Sequence, residues 1–452
     1  MAGITLAIAV AASVLVFYLA PIYGLVIYVA ALAWYPSYLT IPVGTIDFTL
    51  SRIVIFTVFA KLFLLTDLPN RFRFIWLDRI VIIYFIAQIL AGATTATSLM
   101  AFFENRAGAI FDMVLPYFAV RMVVKTKKEY LTLLKSILII AAPLAIIGFY
   151  QCMTGNNPVG FLKKYYAWGT DGGYTPVSRS GFFRADVTFP MSIMYGLFFA
   201  MFGPVCAGLF RHIRKGRPVY LVGICLMVLG VFSSMSAGPW LAVLLAVLFL
   251  ALYSYRRYWK IVLAAAILMC GIAEVISNRH FYEAIDRFTF TGGTAWYRSR
   301  LIEVALYEGG MSGHWLTGFG YGVDPGWCTR IDGRDDTDMV NHYLLVLSRF
   351  GLLAFVPFLA INIMVIKELV CAYKASVLDS DKWLIWCLSA AFFGMAGAFM
   401  SVSLFGQPTT IYYMMIGFAG VMPVIIRDRP VTTAKFRIIH QRRGLVSFLA
   451  SL

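Results

Sequence analysis

Long apolar stretches recur along this chain, most of them separated by short connectors, and they limit what it can fold into. A helix that crosses the hydrocarbon core of a bilayer needs about 20 predominantly apolar residues. The 452 residues are 61% hydrophobic and only 13% charged, with a mean hydropathy of +0.80. Such a composition is too apolar for a water-soluble domain. The sequence therefore predicts an all-α fold, a polytopic bundle of about 12–13 transmembrane helices.

The predicted spans lie near residues 3–20, 22–35, 53–66, 80–98, 108–124, 131–150, 189–210, 219–235, 239–255, 261–277, 341–369, 384–403 and 411–426. Only Pro21 and Gly24 break the apolar run between the first two. Residues 3–35 are therefore also compatible with one long tilted helix, which would give 12 spans. No charged segment precedes the first run and no cleavage site of small residues follows it, so we expect the N-terminal segment to be retained.

Lysine and arginine residues concentrate in alternate connections between the predicted spans. These connections hold Lys61, Arg71, Arg73, Arg79, Arg121, Lys125, Lys127, Lys128, Arg211, Arg214, Lys215, Arg217, Arg256, Arg257, Lys260, Lys374, Lys382 and the tail from Arg427 to Arg443. Connections rich in Lys and Arg normally face the cytoplasm, so the net charge of +16 indicates topology and not nucleic-acid binding. The same alternation places residues 151–188 and 277–340 together on the extracytoplasmic side.

The predicted order of parts follows from this topology. It runs through N-terminal transmembrane helices (1–150), a first extracytoplasmic loop (151–188), central transmembrane helices (189–276), a large extracytoplasmic loop (277–340), C-terminal transmembrane helices (341–426) and a basic cytoplasmic tail (427–452). Both loops are much longer than ordinary connectors and are rich in aromatic residues, glycine and charges. Long loops of this kind are typical of functional surfaces, and we expect them to carry short helices.

The first loop interleaves basic and aromatic residues. It contains the run from Lys163 to Trp168, and Arg179 and Arg184 follow before the next span. Arginine binds a diphosphate with two parallel hydrogen bonds, and aromatic rings stack on sugars, so this combination suits a phosphorylated glycan. A belt of residues that contacts lipid headgroups would show the same pattern.

The second loop begins with a predicted amphipathic helix from Thr294 to Tyr307. Trp296, Arg300, Glu303 and Tyr307 share one face of it by their spacing, and Arg298 lies between them in sequence. A helix lying in the membrane interface, with an ordinary surface salt bridge, would have the same pattern. His314 opens a Gly-rich turn further on. The acidic segment 332–338 matches a calcium loop only weakly, so no metal site is expected.

A histidine and an arginine occur at the start of a late span, in the segment Asn341-His342-Tyr343-Leu344 followed by Arg349. His342 and Arg349 are seven residues apart and would share one helix face, about 10 Å apart along the axis. An arginine inside a membrane span is costly unless it lines a cavity or has a partner, so Arg349 is a candidate functional residue. The alternatives are an arginine that reaches back to the headgroups and a histidine that only hydrogen-bonds at the interface.

Three segments together resemble the O-antigen ligase and Wzy-type polymerase family of bacterial envelope glycosyltransferases. They are the Ser-rich segment from Ser234 to Leu241, the stretch from Tyr297-Arg298 to Leu316-Thr317-Gly318-Phe319-Gly320, and Asn341-His342-Tyr343-Leu344 with Arg349-Phe350-Gly351-Leu352. The order and spacing of these segments, with the two outer loops, extend the resemblance over most of the chain.

The resemblance implies a multi-pass enzyme of the bacterial inner membrane, with its active site facing the periplasm. Such an enzyme is an inverting glycosyltransferase that polymerises or ligates undecaprenyl-diphosphate-linked oligosaccharides for O-antigen, capsule or exopolysaccharide synthesis, without a metal or other cofactor. Implied partners are the lipid-linked oligosaccharide, the bilayer, and the chain-length regulator and flippase of the same pathway, but no nucleic acid.

The resemblance also implies roles for particular residues. The diphosphate and glycan would be held by Arg179, Arg184, Arg298, Arg300, Arg349, Asn341 and Tyr343. His342 would be the catalytic base that accepts the proton of the attacking hydroxyl. When the segments are aligned on Asn341, Val340 stands where the family has His or Asp, so Asp338 and His314 are alternative bases.

Several alternatives stay open from the sequence. The acceptor is either another repeat unit, as in a polymerase, which the late-span segment favours, or a lipid A core, as in a ligase. A lipid-linked oligosaccharide flippase or a structural partner of envelope assembly are further candidates, although most spans are uncharged and no internal repeat is evident. Cys152 and Cys328 lie one in each outer loop and are a candidate disulfide.

Overall fold

A computed structural model describes residues 1–67, 72–165, 176–212, 217–258 and 292–427, with the isolated positions 261, 264, 268, 271 and 272. Helices dominate these residues. They are α1 (Ala2–Tyr18), α2 (Pro21–Trp34), α3 (Leu50–Leu65), α4 (Trp76–Thr95), α5 (Leu99–Ala109), α6 (Leu115–Val123), α7 (Lys127–Thr154), α8 (Ser192–Ala207), α9 (Arg217–Ser233), α10 (Ala237–Ala251), α11 (Gly292–Leu306), α12 (Trp327–Ile331), α13 (His342–Ala375), α14 (Asp379–Ala398) and α15 (Gln407–Arg427).

Shorter elements connect the helices. A π-helix (Ile110–Val114) joins α5 to α6, and 3-10 turns cover Gly160–Tyr165, Gly208–Arg211 and Leu252–Tyr258. Strands β1 (Thr40–Val43) and β2 (Ile46–Thr49) form one antiparallel hairpin, and β3 (Ser178–Arg179) and β4 (Phe182–Phe183) form another. The predicted span 261–277, the aromatic residues Tyr166 and Trp168, and the tail 428–452 lie largely or wholly outside the described residues.

Six helices in the described part of the chain are long and apolar enough to cross a membrane. They cover Trp76–Thr95, Lys127–Thr154, Ser192–Arg211, Ala237–Arg256, His342–Ala375 and Gln407–Arg427. Helices α1, α2 and α9 are apolar but shorter. The prediction of a mainly helical membrane protein is confirmed, whereas the count of 12–13 spans stays a prediction.

The N-terminal apolar run forms two helices. Leu19 and Ala20 have extended backbone angles, and α2 starts at Pro21, which is favoured as a first helical residue because it has no N–H to satisfy. The alternative of one long helix is therefore wrong. At the break, the buried ammonium of Lys61 donates to the carbonyl oxygens of Val16 (2.9 Å) and Leu19, which would otherwise lack partners at the end of α1.

Helix α13 is interrupted at Gly351, where the sequence predicted an unbroken span. Gly351 has φ 60° and ψ −165°, a backbone conformation essentially restricted to glycine. The loop segment 315–319 docks at this break, with hydrogen bonds from Leu352 N to Trp315 O (2.7 Å) and from Phe319 N to Ser348 O (2.7 Å). These bonds satisfy backbone groups that the break removes from the helix ladder, so the large second loop is built into α13.

The large loop contains the predicted amphipathic helix as α11. Its residues Leu301 and Val304 are buried in a small core with Trp327 of α12, whereas Trp296 and Tyr307 are exposed. The predicted helix is confirmed, and its apolar side packs both on the loop and on Leu344 and Leu347 of α13.

Cys152 and Cys328 are both buried free thiols in the structure. The Sγ atom of Cys328 lies 3.0 Å from the hydroxyl of Tyr297. The candidate disulfide between the two outer loops is therefore not formed.

The opposite end of the bundle, towards the predicted cytoplasmic connections, contains a buried ion pair. The carboxylate of Asp78 accepts two hydrogen bonds from Arg121, both 2.8 Å, and one from the hydroxyl of Tyr117 (2.5 Å). Arg121 also donates to Gly420 O (3.1 Å), so the pair joins α4, α6 and α15.

Candidate functional site

A cavity of about 360 Å³ lies where the β1–β2 hairpin, α3, α4, α5 and the start of α13 meet. About half of its wall surface is polar, and the rest is apolar. The lining includes Asp47, Arg52, Tyr84, Gln88, Glu104, Asn105, Arg106, Asp112, Tyr321, His342, Arg349 and Phe350. The charge asymmetry of the connections predicts that these wall segments lie at the same end of the bundle as the two large loops.

His342 is positioned at the first turn of α13. Asn341 caps this helix, because its side-chain oxygen accepts a hydrogen bond from Leu344 N (3.1 Å). The imidazole is buried between the rings of Phe358 and Phe399, and its Nδ1 accepts a hydrogen bond from Leu404 N (3.2 Å). A neutral imidazole that accepts at Nδ1 carries its hydrogen on Nε2, so His342 is a hydrogen-bond donor at that atom.

Arg349 lies on the same side of the first part of α13 and also lines the cavity. Its guanidinium carbon is 4.7 Å from the centre of the Tyr321 ring, which is a cation–π contact. Among the described residues it has no carboxylate partner. The seven-residue spacing predicts that His342 and Arg349 share a helix face, and both side chains line this cavity.

Arg106 is a second arginine of the cavity, which the sequence analysis did not single out. It is buried, donates to Gln88 Oε1 (2.9 Å), and lies over the Phe350 ring at 5.1 Å. Phe350 follows Arg349 directly, so the two arginines come together on neighbouring elements. No described carboxylate pairs with Arg106 either, and the cavity therefore contains two guanidinium groups that form no ion pair with a described acidic side chain.

Arg52, in contrast, is neutralised within the protein. It forms two hydrogen bonds to the Asp112 carboxylate, from Nε (3.1 Å) and Nη2 (2.6 Å). Its Nη1 donates to Asp47 O (2.8 Å), and the rings of Phe48 and Phe111 pack edge to face beside it. Arg52 therefore attaches the β1–β2 hairpin to the π-helix and forms one wall of the cavity.

Three carboxylates line the cavity, and they differ in their hydrogen-bond and ion-pair partners. Asp112 is paired with Arg52, and Asp47 accepts a hydrogen bond from Thr40 Oγ1 (3.2 Å). Glu104, on α5 and half-buried, has neither an ion pair nor a hydrogen bond within the described ranges. Glu104 is thus the carboxylate of the cavity that is not engaged by the protein.

The predicted arginines of the first loop lie elsewhere. Arg179 donates to Met235 O (3.3 Å), and Arg184 donates to Ser236 Oγ (3.0 Å). Burial lowers the pKa of Arg184, and the nearby charge of Arg179 lowers it further. These two arginines pack on the Ser-rich segment between α9 and α10, not on the cavity wall, and their role with a diphosphate stays a prediction.

The predicted arginines of the second loop are also away from the cavity wall. Arg300 pairs with Glu303 (2.8 Å) and Glu308 (2.6 Å) on the surface of α11, as in the salt-bridge alternative. Arg298 is half-buried, and its charge acts on the carboxylate of Asp338. Their proposed contacts with substrate stay predictions.

The remaining predicted residues have other surroundings. His314 is exposed, stacks on Phe319 with 4.0 Å between ring centres, and interacts through Nδ1 with Ser312 O (3.0 Å). Asp338 is at the surface of the loop, and its backbone oxygen accepts from Tyr297 (2.9 Å). Tyr343 donates to Ala396 O (2.9 Å). Of the predicted site residues, His342 and Arg349 line the cavity, and Asn341 caps their helix.

A sequence signal for the additional residues existed. Arg52, Glu104 and Arg106 occur in or next to the connections 36–52 and 99–107, which the alternation of basic connections places on the same side as the large loops. Charged residues in these otherwise apolar segments, predicted to lie at the end of the bundle with the large loops, are candidates for one common functional site. Their convergence with α13 depends on helix packing, which local sequence does not reveal.

The cavity is suited to bind an anion that carries more than one negative charge. Two guanidinium groups without carboxylate partners can each donate paired hydrogen bonds to phosphate oxygens, and His342 Nε2 adds a neutral donor. A partly buried site strengthens these interactions because little water screens them. No protein-family model matches this chain, and a search of curated proteins finds no significant match.

Proposed function

We propose that this protein is a membrane glycosyltransferase that transfers a glycan from undecaprenyl diphosphate to an acceptor hydroxyl. The observation that carries the proposal is the pair Arg106 and Arg349, which line one cavity with no described carboxylate partner. Uncompensated arginines in a largely apolar protein are costly, and they are expected where an anionic ligand balances them.

The chemistry explains why two guanidinium groups are useful. When a glycan leaves a lipid diphosphate, the bond between the anomeric carbon and a phosphate oxygen breaks, and negative charge develops on that oxygen. Fixed donors that face the developing charge lower the barrier, because they need no reorganisation during the reaction. Arg106 and Arg349 supply this stabilisation, and His342 contributes a hydrogen bond from Nε2. A single displacement of this kind inverts the anomeric configuration.

The surroundings of the cavity also suit a lipid-linked substrate. On α5, Leu99 and Phe103 are exposed apolar side chains, whereas Arg106 is buried in the cavity wall. A polyprenyl chain can therefore remain in the bilayer beside α5 while its diphosphate reaches the arginines. The distribution of basic residues predicts that this end of the bundle faces away from the cytoplasm. In the bacterial inner membrane that the family resemblance implies, that side is the periplasm.

The acceptor decides between two versions of the activity. A second lipid-linked repeat unit as acceptor makes the protein a polymerase for O-antigen, capsule or exopolysaccharide, whereas a lipid A core makes it a ligase. The resemblance of Asn341-His342-Tyr343-Leu344 and Arg349-Phe350-Gly351 to polymerase segments favours the polymerase.

The test uses purified full-length protein in lipid vesicles with an undecaprenyl-diphosphate-linked oligosaccharide, with and without a lipid A core acceptor. We expect release of undecaprenyl diphosphate and a lengthened glycan. Arg349→Ala and Arg106→Ala should each lower the rate by about 10²–10³-fold, as removal of a donor to developing charge does elsewhere.

Arg334→Ala is the matched control, because Arg334 is an exposed arginine that pairs with Asp332 (2.8 Å) away from the cavity. It should leave the rate unchanged. Wild-type protein that moves the lipid-linked glycan across the vesicle membrane without releasing undecaprenyl diphosphate would support a flippase. That result, or equal rates for Arg334→Ala and both cavity variants, would refute the proposed function.

A further inference from the structure

We propose that Glu104 is the general base of the reaction and that His342 serves as a hydrogen-bond donor. This inference rests on the proposed function, because it assigns the proton of the acceptor hydroxyl. The sequence alone suggested His342 as the base, with Asp338 and His314 as alternatives. The contacts around the cavity lead to a different assignment.

The hydrogen bond at Nδ1 limits what His342 can do. Nδ1 accepts from Leu404 N (3.2 Å), and the backbone N of His342 donates to Phe399 O (2.8 Å), so both the ring and its helix are held by the segment after α14. With its lone pair at Nδ1 used, the neutral ring has a hydrogen on Nε2 and no free acceptor there. To take a proton at Nε2, the ring would have to change tautomer and lose the bond to Leu404.

The two alternative bases are not in the cavity. His314 is exposed and stacks on Phe319, and Asp338 is at the loop surface, where the charges of Arg298 and Arg334 act on it. Neither side chain belongs to the cavity wall. A base must be within hydrogen-bond reach of the proton it removes, so the wall itself has to supply the group.

Glu104 is the carboxylate of the wall that is available for this role. Asp112 is bound by two hydrogen bonds from Arg52, and Asp47 is exposed on strand β2 with a hydrogen bond from Thr40. Glu104 has no such partner in the part of the chain that the structure describes. A carboxylate without a bound cation keeps its lone pairs free to accept a proton.

The position of Glu104 on α5 is also suitable. Successive residues of a helix are rotated by about 100° around its axis. Glu104 and Arg106 therefore lie on either side of Asn105 around α5. All three residues line the cavity. A sugar bound with its diphosphate at Arg106 and Arg349 would therefore share one cavity with Glu104.

The reaction step balances without any other reagent. The acceptor oxygen forms a bond to the anomeric carbon, and its proton moves to a Glu104 carboxylate oxygen. The bond from the anomeric carbon to the phosphate oxygen breaks, and its electron pair leaves with undecaprenyl diphosphate, which the arginines hold. The protonated carboxyl group then releases its proton to water.

The experiment compares Glu104→Gln with Glu104→Asp in the release assay. Glu104→Gln keeps the size of the side chain and removes the base, so the rate should fall by about 10²-fold or more. Glu104→Asp keeps a carboxylate and should therefore retain part of the wild-type rate. Binding of the lipid-linked oligosaccharide by Glu104→Gln should stay within about threefold of wild type, which shows that the site is intact. Asp336→Asn, at an exposed acidic residue of the second loop, is the control and should not change the rate.

A pH profile and a histidine variant give independent readouts. The wild-type rate should fall as acid protonates the base, and Glu104→Gln should lose that dependence. His342→Gln provides an N–H donor but no imidazole, so it should retain more activity than His342→Ala.

The assignment would be overturned if Glu104→Gln were fully active. It would also be overturned if His342→Gln and His342→Ala lost equal activity while Glu104→Gln kept the wild-type pH dependence. Either result would leave the proposed function standing, because that function is refuted by other results: no release of undecaprenyl diphosphate by wild-type protein, or equal rates for Arg334→Ala and both arginine variants of the cavity.

Discussion

Replacing Gly351 with alanine tests how the second loop is joined to α13. Gly351 has φ 60° and ψ −165°, and a Cβ atom there would overlap the carbonyl group of Leu316 and lie 2.5 Å from Thr317 N. Because these neighbours are backbone atoms, they cannot move aside without moving the segment 315–319. Gly351→Ala should therefore separate this segment from the helix break.

The cost can be estimated from two contributions. A non-glycine residue in this backbone region is strained by about 1–3 kcal/mol. Displacement of the segment loses the hydrogen bonds from Leu352 N to Trp315 O and from Leu353 N to Leu316 O, each about 1 kcal/mol. The expected loss in the free energy of unfolding is thus about 3–5 kcal/mol.

Gly333→Ala is the control for backbone strain alone. Gly333 also has a positive φ of 77°, but no atom lies within 4 Å of the position of a Cβ. Its expected cost is about 1–2 kcal/mol. Thermal unfolding of both purified variants in one detergent measures the difference. Equal melting temperatures for Gly351→Ala and Gly333→Ala would refute the argument that the docked segment requires glycine.

Two further predictions concern stability. Asp78→Asn leaves the buried guanidinium of Arg121 without its carboxylate and should lower the free energy of unfolding by about 3–5 kcal/mol, as measured by thermal unfolding. Replacing both residues with apolar ones should lower it clearly less. An Asp78→Asn variant as stable as wild type would contradict this prediction. Burial alone would raise the pKa of Asp324, but hydrogen bonds from Thr337 and Gly326 hold it below its usual value. The ionised carboxylate of Asp324 therefore stabilises the folded loop fully at pH values above the pKa that it has in the unfolded chain. This stabilisation is lost as the pH falls through the lower pKa that it has in the folded protein. Thr337→Val removes one of these hydrogen bonds, so it should speed proteolysis of the second loop more at pH 7 than at pH 3. An equal increase in the proteolysis rate at the two pH values would argue against this role of Asp324.

Local patterns were sufficient for the features that depend on one segment. Helix α11 was predictable because its apolar residues recur with helical spacing over 15 residues. The common direction of His342 and Arg349 was predictable for the same reason, since both belong to one helix. The break at Gly351 was not predictable, because a glycine within an apolar run is compatible with a continuous helix until another segment docks against it.

The sequence by itself determined that this chain forms a helical membrane bundle, because backbone groups in hydrocarbon must be satisfied within each helix. The distribution of Lys and Arg also predicts which connections share a side of the membrane. Only the tertiary structure decided which arginines have carboxylate partners. Arg52 meets Asp112, whereas Arg106 and Arg349 meet aromatic rings and an amide. Ion pairing depends on distances of a few ångströms between helices that are remote in sequence, and no local periodicity encodes those distances.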